Sequence, residues 1–121
     1  MTMQQHTNHV KLEKRGDITL LDIKGDVTAF SEPFLNEAYE GSKDLGNDKL
    51  LFVFEQEAYI NSGGIAVLIQ ILAKTKKNNQ EIGITGLSDH FKKVFHMVGI
   101  TKFATIHASP DEALKAMSAG A

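Results

Sequence analysis

Short apolar runs alternate along this chain with longer amphipathic stretches, and the spacing within each assigns an element. Val10 to Lys14 and Ile18 to Lys24 predict two strands around a turn at Arg15-Gly16-Asp17, a hairpin that Gly25-Asp26 breaks. Ile18, Leu20, Leu21 and Ile23 carry the apolar weight of the second strand. Ser31 is placed to cap a first helix, and Glu32 and Pro33 suit its opening turn. Phe34, Leu35, Ala38 and Leu45 supply that helix with an inward stripe, and Gly46-Asn47-Asp48 ends it. Leu50-Leu51-Phe52-Val53-Phe54 is too short for a globular helix and rich in β-formers, so it predicts a buried strand. Beyond Asn61-Ser62-Gly63-Gly64, the residues Ile65, Leu68, Ile69 and Leu72 recur at offsets of three, four and seven, one face of a helix that finishes near Lys74 to Gln80.

Glu81 to Leu87 predicts a further strand through Ile82, Ile84 and Leu87. Ser88-Asp89 starts a helix with apolar positions at Phe91, Val94, Phe95 and Val98, closed by Gly99 as a left-handed cap. Phe103 to His107 reads as a last short strand. Ser109-Pro110-Asp111-Glu112 joins a capping box to a proline at the first helical position, predicting a helix from Pro110 to about Met117. The order is β-β-α-β-α-β-α-β-α. Strands that alternate with helices after an opening hairpin imply an α/β fold, a mixed and mainly parallel sheet with about four helices. One domain spans residues 9–118, between a polar N-terminal tail (1–8) and a short C-terminal one (119–121).

Composition narrows the functional classes. A chain of 121 residues builds a core without staples, and it has no cysteine for disulfides or thiolate metal sites. Fifteen acidic residues against thirteen basic ones give a net charge of -2, no footprint for nucleic acid or an anionic membrane. No apolar run reaches the length of a membrane span and the N-terminus lacks a signal-peptide core, so a soluble cytoplasmic domain is the expectation.

Catalytic patterns are weak. A serine nucleophile wants a G-x-S-x-G elbow and a histidine base, but Ile60 stands where the first glycine would be. The junction lacks the lysine and spacing of a phosphate-binding loop. His6, His9, His90, His96 and His107 show no close ligand pattern such as H-E-x-x-H; His6 and His9 are spaced for a weak metal site but sit in or beside the tail, and His96 reads as a surface or boundary residue. Lys74, Lys76 and Lys77 suit the negative end of a helix dipole. What remains is Ser62, at the start of a helix and followed by two glycines that leave its hydroxyl uncovered. It has two compatible roles: a plain N-cap worth about 1 kcal/mol, or a phosphorylation site where the helix N-terminus accommodates a dianion.

Several stretches together resemble a known family: Gly25-Asp26-Val27 after the hairpin, the strand Leu50 to Phe54, the junction Tyr59-Ile60-Asn61-Ser62-Gly63-Gly64-Ile65, and the helix end His96-Met97-Val98-Gly99-Ile100. From about Val10 to Met117 the chain resembles a stand-alone STAS domain of the bacterial anti-sigma factor antagonist type, whose junction usually reads aromatic-apolar-Asp-Ser-Ser/Thr-Gly-Leu. The resemblance implies a non-enzymatic module without cofactor or metal, whose partners are an anti-sigma factor serine kinase and a serine phosphatase. Ser62 matches the serine that the kinase phosphorylates with its own ATP, Gly64 the family's glycine and Ile65 its following aliphatic residue. Asn61 replaces the usual aspartate and Gly63 the second hydroxyl residue. The contact surface implied is Asn61, Ser62, Gly63, Gly64 and Ile65, with Asp26, Val27, Thr28 and Phe30 from the neighbouring loop. Phe30 is either an apolar anchor there or a core residue through the first helix.

Two alternatives stand beside this. One is a STAS scaffold or docking subunit of a larger signalling assembly in which Ser62 is never modified. The other is a small-ligand sensor or hydrolase using the crevice at the carboxyl ends of the strands.

Overall fold

The computed structural model describes residues 8–46 and 48–118. Expectations for residues 1–7, including His6, for Asn47 and for residues 119–121 lie outside the described residues. The elements are β1 (His9–Arg15), β2 (Ile18–Lys24), α1 (Glu32–Lys43), β3 (Lys49–Phe54), α2 (Ser62–Lys77), β4 (Glu81–Thr85), α3 (Asp89–Met97), β5 (Thr105–Ile106) and α4 (Pro110–Ser118). Single 3₁₀ turns occupy Ala29–Ser31 and Ile100–Lys102. The order of strands and helices is the one that the pattern of the sequence predicts.

The five strands lie in chain order, β1-β2-β3-β4-β5. β1 pairs with β2 antiparallel, and every later pairing is parallel. Register sorts the strand residues into two layers. Leu21, Phe52 and Ile84 stand side by side and face the large core with α1, α2 and α3. Leu20 and Leu51, one residue earlier, face a smaller core with Ala113 and Met117 of α4. Both faces of β2 and β3 are thus covered, which explains why their sequences read as apolar runs rather than alternations. Each buried Leu, Ile or Phe side chain is worth roughly 1.5–3 kcal/mol, so the two layers together supply the main driving force for folding.

Several local expectations change. Ser31 stands at the start of α1, but its side chain makes no cap there. Its hydroxyl accepts instead from the Thr28 N–H at 2.9 Å, within the capping box of the Ala29–Ser31 turn. In α1 the fully buried aromatic is Tyr39, while Phe34 and Leu45 are only partly buried. The Tyr39 hydroxyl donates to Gln80 Oε1 at 2.6 Å and accepts from Asn78 at 2.9 Å, so the ring enters the core with its polar end satisfied. On α2 the buried stripe is Gly64, Val67, Leu68, Ile71, Leu72 and Thr75, with Ile65 and Ile69 at its margin. Asn8, grouped with the tail by its polarity, is buried and donates to the carbonyls of Lys24 and Asp26 at 2.9 and 3.0 Å. The last strand shrinks to Thr105–Ile106, because a 3₁₀ turn after Gly99 (φ 86°) carries Ile100 into the core and places Phe103 in a turn.

Candidate functional site

At the carboxyl ends of β2 and β3 the chain builds a two-ply loop. Val27 N–H donates to the Tyr59 carbonyl at 2.9 Å, and Asn61 N–H donates to the Val27 carbonyl at 3.1 Å, a short parallel bridge that prolongs the sheet. Two carboxylates hold the plies together. Glu55 Oε1 accepts from Gly25 N–H at 2.6 Å, and Asp26 Oδ1 accepts from Tyr59 N–H at 2.9 Å. Thr28 caps the 3₁₀ turn, its hydroxyl accepting from Phe30 N–H at 3.1 Å. The loop is therefore a tied structure, held by hydrogen bonds between its two segments.

Helix α2 starts against this loop with almost no separation. A Cβ on Gly64 would lie 2.2 Å from the Val27 carbonyl oxygen, and one on Gly63 would lie 3.0 Å from both the Cβ and the N of Ala29. Gly64 is needed for this packing inside the molecule, and a side chain at Gly63 would be tight against Ala29. This is a second role beside the expected one of leaving the serine uncovered, and Ser62 is exposed. It also accounts for Gly63 standing where a larger hydroxyl residue is usual, since Ala29 fills the space.

The helix cap is Asn61. Its backbone is extended and its Oδ1 accepts from Gly64 N–H at 2.9 Å. Ser62 is the first helical residue, exposed, and among the described residues its hydroxyl has no hydrogen-bond partner. The N-cap role considered for Ser62 thus belongs to its neighbour. No acidic side chain lies in the first turn of α2, while Lys74, Lys76 and Lys77 lie in its last turn. No carboxylate of the helix itself compensates its positive end, although Asp26 stands nearby on the Tyr59 N–H.

The other expected contact residues divide. Val27 and Gly64 are buried, so they shape the surface from beneath and do not form part of it. Ile65 and Thr28 are half-buried, Ile65 packed on the core and Thr28 engaged as a cap. Asp26 is exposed, with one carboxylate oxygen tied to Tyr59. Phe30 is 74% exposed, which settles its position outside the core. Sequence reasoning left out Tyr59, which is 60% exposed and meets Phe91 edge-to-face at 5.9 Å. The alternation of exposed Tyr59 with buried Ile60 was the available signal. Ser62 therefore lies in a stretch of surface with exposed aromatic residues on both of the adjoining segments. The cleft between β1 and α1, about 650 Å³ and lined by Val10, Leu12, Phe34 and Glu37 among others, does not include Ser62.

Among the described residues no group of three His, Asp or Glu could hold a metal ion, and no helix is long and apolar enough to cross a membrane. The family model that matches is the STAS domain, over residues 9–113. An anti-sigma-B factor antagonist of Staphylococcus aureus (strain NCTC 8325 / PS 47) is 23% identical over 78 residues, covering 64% of this chain and 72% of that protein. An anti-sigma factor antagonist from Mycobacterium paratuberculosis superposes with a TM-score of 0.75 at 17% identity, covering 90% of this chain and 92% of that one. The Bacillus cell fate determinant SpoIIAA in its phosphorylated form superposes with a TM-score of 0.63 at 13% identity, covering 90% of this chain and 99% of that one. The chain belongs to the STAS domain family.

Proposed function

We propose that this STAS-domain protein is an anti-sigma factor antagonist that works by partner switching. In its unphosphorylated state it binds an anti-sigma serine kinase through the surface around the start of α2, freeing the kinase's client. Transfer of the γ-phosphoryl group of ATP to Ser62 Oγ, with ADP and the hydroxyl proton leaving, ends the complex. A serine phosphatase restores the first state. The protein contributes no catalysis of its own and works in the cytoplasm.

One observation carries this reading: Asn61 supplies the cap, so the adjacent Ser62 hydroxyl is exposed and free for modification. Phe30 and Tyr59, large and exposed, are suited to be the apolar anchors of the contact. The switch is then electrostatic. A dianion at the centre of an interface built for a neutral hydroxyl costs several kcal/mol if it is desolvated without a partner. The loop and helix beneath are held by bonds that do not involve Ser62, so the fold persists through the change.

The test is incubation with a candidate anti-sigma kinase and ATP, followed by mass spectrometric mapping. The expected result is a single phosphate on Ser62 and loss of the complex as it accumulates. Phosphate elsewhere, or none while a tight complex persists, would favour the scaffold reading. That alternative draws support from Asn61 and Gly63, which depart from the family's usual junction.

A further inference from the structure

Between Asp89 and Asp111 the sequence holds Lys92, Lys93 and Lys102 and no acidic residue, in a chain whose net charge is -2. Within this positive stretch, at the end of α3, two apolar side chains stand exposed. Met97 is 84% exposed and Val98 44% exposed at the end of α3. Beside them runs a groove of about 590 Å³, lined by Lys92, Lys93, His96 and Met97 from α3 and by Thr101 and Ile106 from the segment that follows. Ile106 belongs to β5, the two-residue strand at the edge of the sheet, and packs partly on the core.

Lys92 meets Asp89 at 3.6 Å, an exposed surface pair that contributes little. Lys93 and Lys102 have no ion pair among the described residues. The aliphatic stems of Lys92 and Lys93 form part of the groove wall while their ammonium groups stay in water. Methionine at the rim is unbranched and adaptable, a side chain that suits contact with a variable apolar partner.

From these features we infer that the groove at the end of α3 is a second docking surface, one that takes an acidic amphipathic segment of another protein. Apolar side chains of that segment lie between Met97 and Ile106, and its carboxylates meet Lys92 and Lys93. The groove is shallow, an apolar strip with lysines beside it, and an acidic amphipathic segment matches both parts. The apolar end of the site, Met97, lies six residues along α3 from Phe91, the residue on which Tyr59 rests, while Lys92 and Lys93 follow Phe91 directly. A partner held there could remain while the Ser62 surface changes hands. The inference does not depend on the phosphorylation of Ser62.

The experiment is a titration of the isotope-labelled full chain, followed by amide chemical shifts. The probe is a short synthetic helical peptide with leucines on one stripe and glutamates on both flanks. The expected result is saturable shifts centred on Lys93, Met97 and Ile106, weakened roughly tenfold by Lys93→Glu and by raised salt. Met97→Ser, at a solvated position where folding is not at stake, weakens binding by a similar factor. A control peptide with lysines in place of the glutamates leaves the shifts unmoved. Equal response to both peptides, shifts centred elsewhere, or no response overturns the inference. Cosedimentation with phosphatidylglycerol vesicles in place of peptide binding overturns it too, in favour of a membrane surface.

Discussion

Helices α2, α3 and α4 each begin beside a serine, and the three serines are used differently. Ser88 accepts from Phe91 N–H at 3.3 Å, and Ser109 accepts from Glu112 N–H at 3.1 Å. Both hydroxyls are consumed in satisfying helix donors that would otherwise go unpaired. At α2 the asparagine one position earlier takes that duty, and the serine is displaced into the first turn, facing outward. The lesson is one of register. At α3 and α4 the hydroxyl at the cap is part of the scaffold, and at α2 the hydroxyl one residue later is left exposed. The α2 start differs in a second respect, because its first turn presses on the Val27–Ala29 loop and depends on glycine to do so.

Substitutions test this contrast. The largest effect is expected from Gly64→Ala. A Cβ there meets a backbone oxygen that cannot rotate away, so the clash outweighs the gain of helix propensity by about 2 to 3 kcal/mol. Denaturant unfolding measures it, and a loss below about 0.5 kcal/mol would mean that the loop is not pinned as described. Asn61→Ala removes the α2 cap and should cost about 1 kcal/mol, whereas Asn61→Asp should keep it. Ser88→Ala and Ser109→Ala should each cost a similar amount, also within about 0.5–2 kcal/mol. The same measurement on Ser62→Ala should move stability by less than about 0.5 kcal/mol while phosphate incorporation disappears. If Ser62→Ala instead destabilises as much as Ser88→Ala, the distinction between cap and switch fails. One expected change is a gain. Ser62→Asp places a carboxylate at a helix start that has none in its own first turn and should add roughly 0.3–1 kcal/mol, seen as a slightly higher Tm that fades with salt.

Much of the architecture was legible before folding. The apolar runs at Ile18–Ile23 and Leu50–Phe54 fixed buried strands, because a strand covered on both faces leaves no place for polar residues. Gly99 and Ser109-Pro110 marked helix ends through local backbone chemistry. Other features were not legible, for identifiable reasons. On α2 the apolar residues Ile65, Val67, Leu68, Ile69, Ile71 and Leu72 support more than one stripe, and periodicity alone could not choose between them. Tyr39 was overlooked because its burial depends on Gln80 and Asn78, about forty residues away, meeting its hydroxyl. Asn8 looked like tail until Lys24 and Asp26 offered it two carbonyls.

The candidate site divides in the same way. Its serine and its position at a strand–helix junction follow from the order of residues, since the hydrophobic pattern and the turn chemistry are properties of neighbours along the chain. Which glycine is filled by whose backbone, and whether Phe30 points inward or outward, were decided only when the Asp26–Phe30 loop came to rest against α2. Those outcomes depend on contacts between segments more than thirty residues apart, and local preference has no access to distances that exist only after the chain has closed on itself.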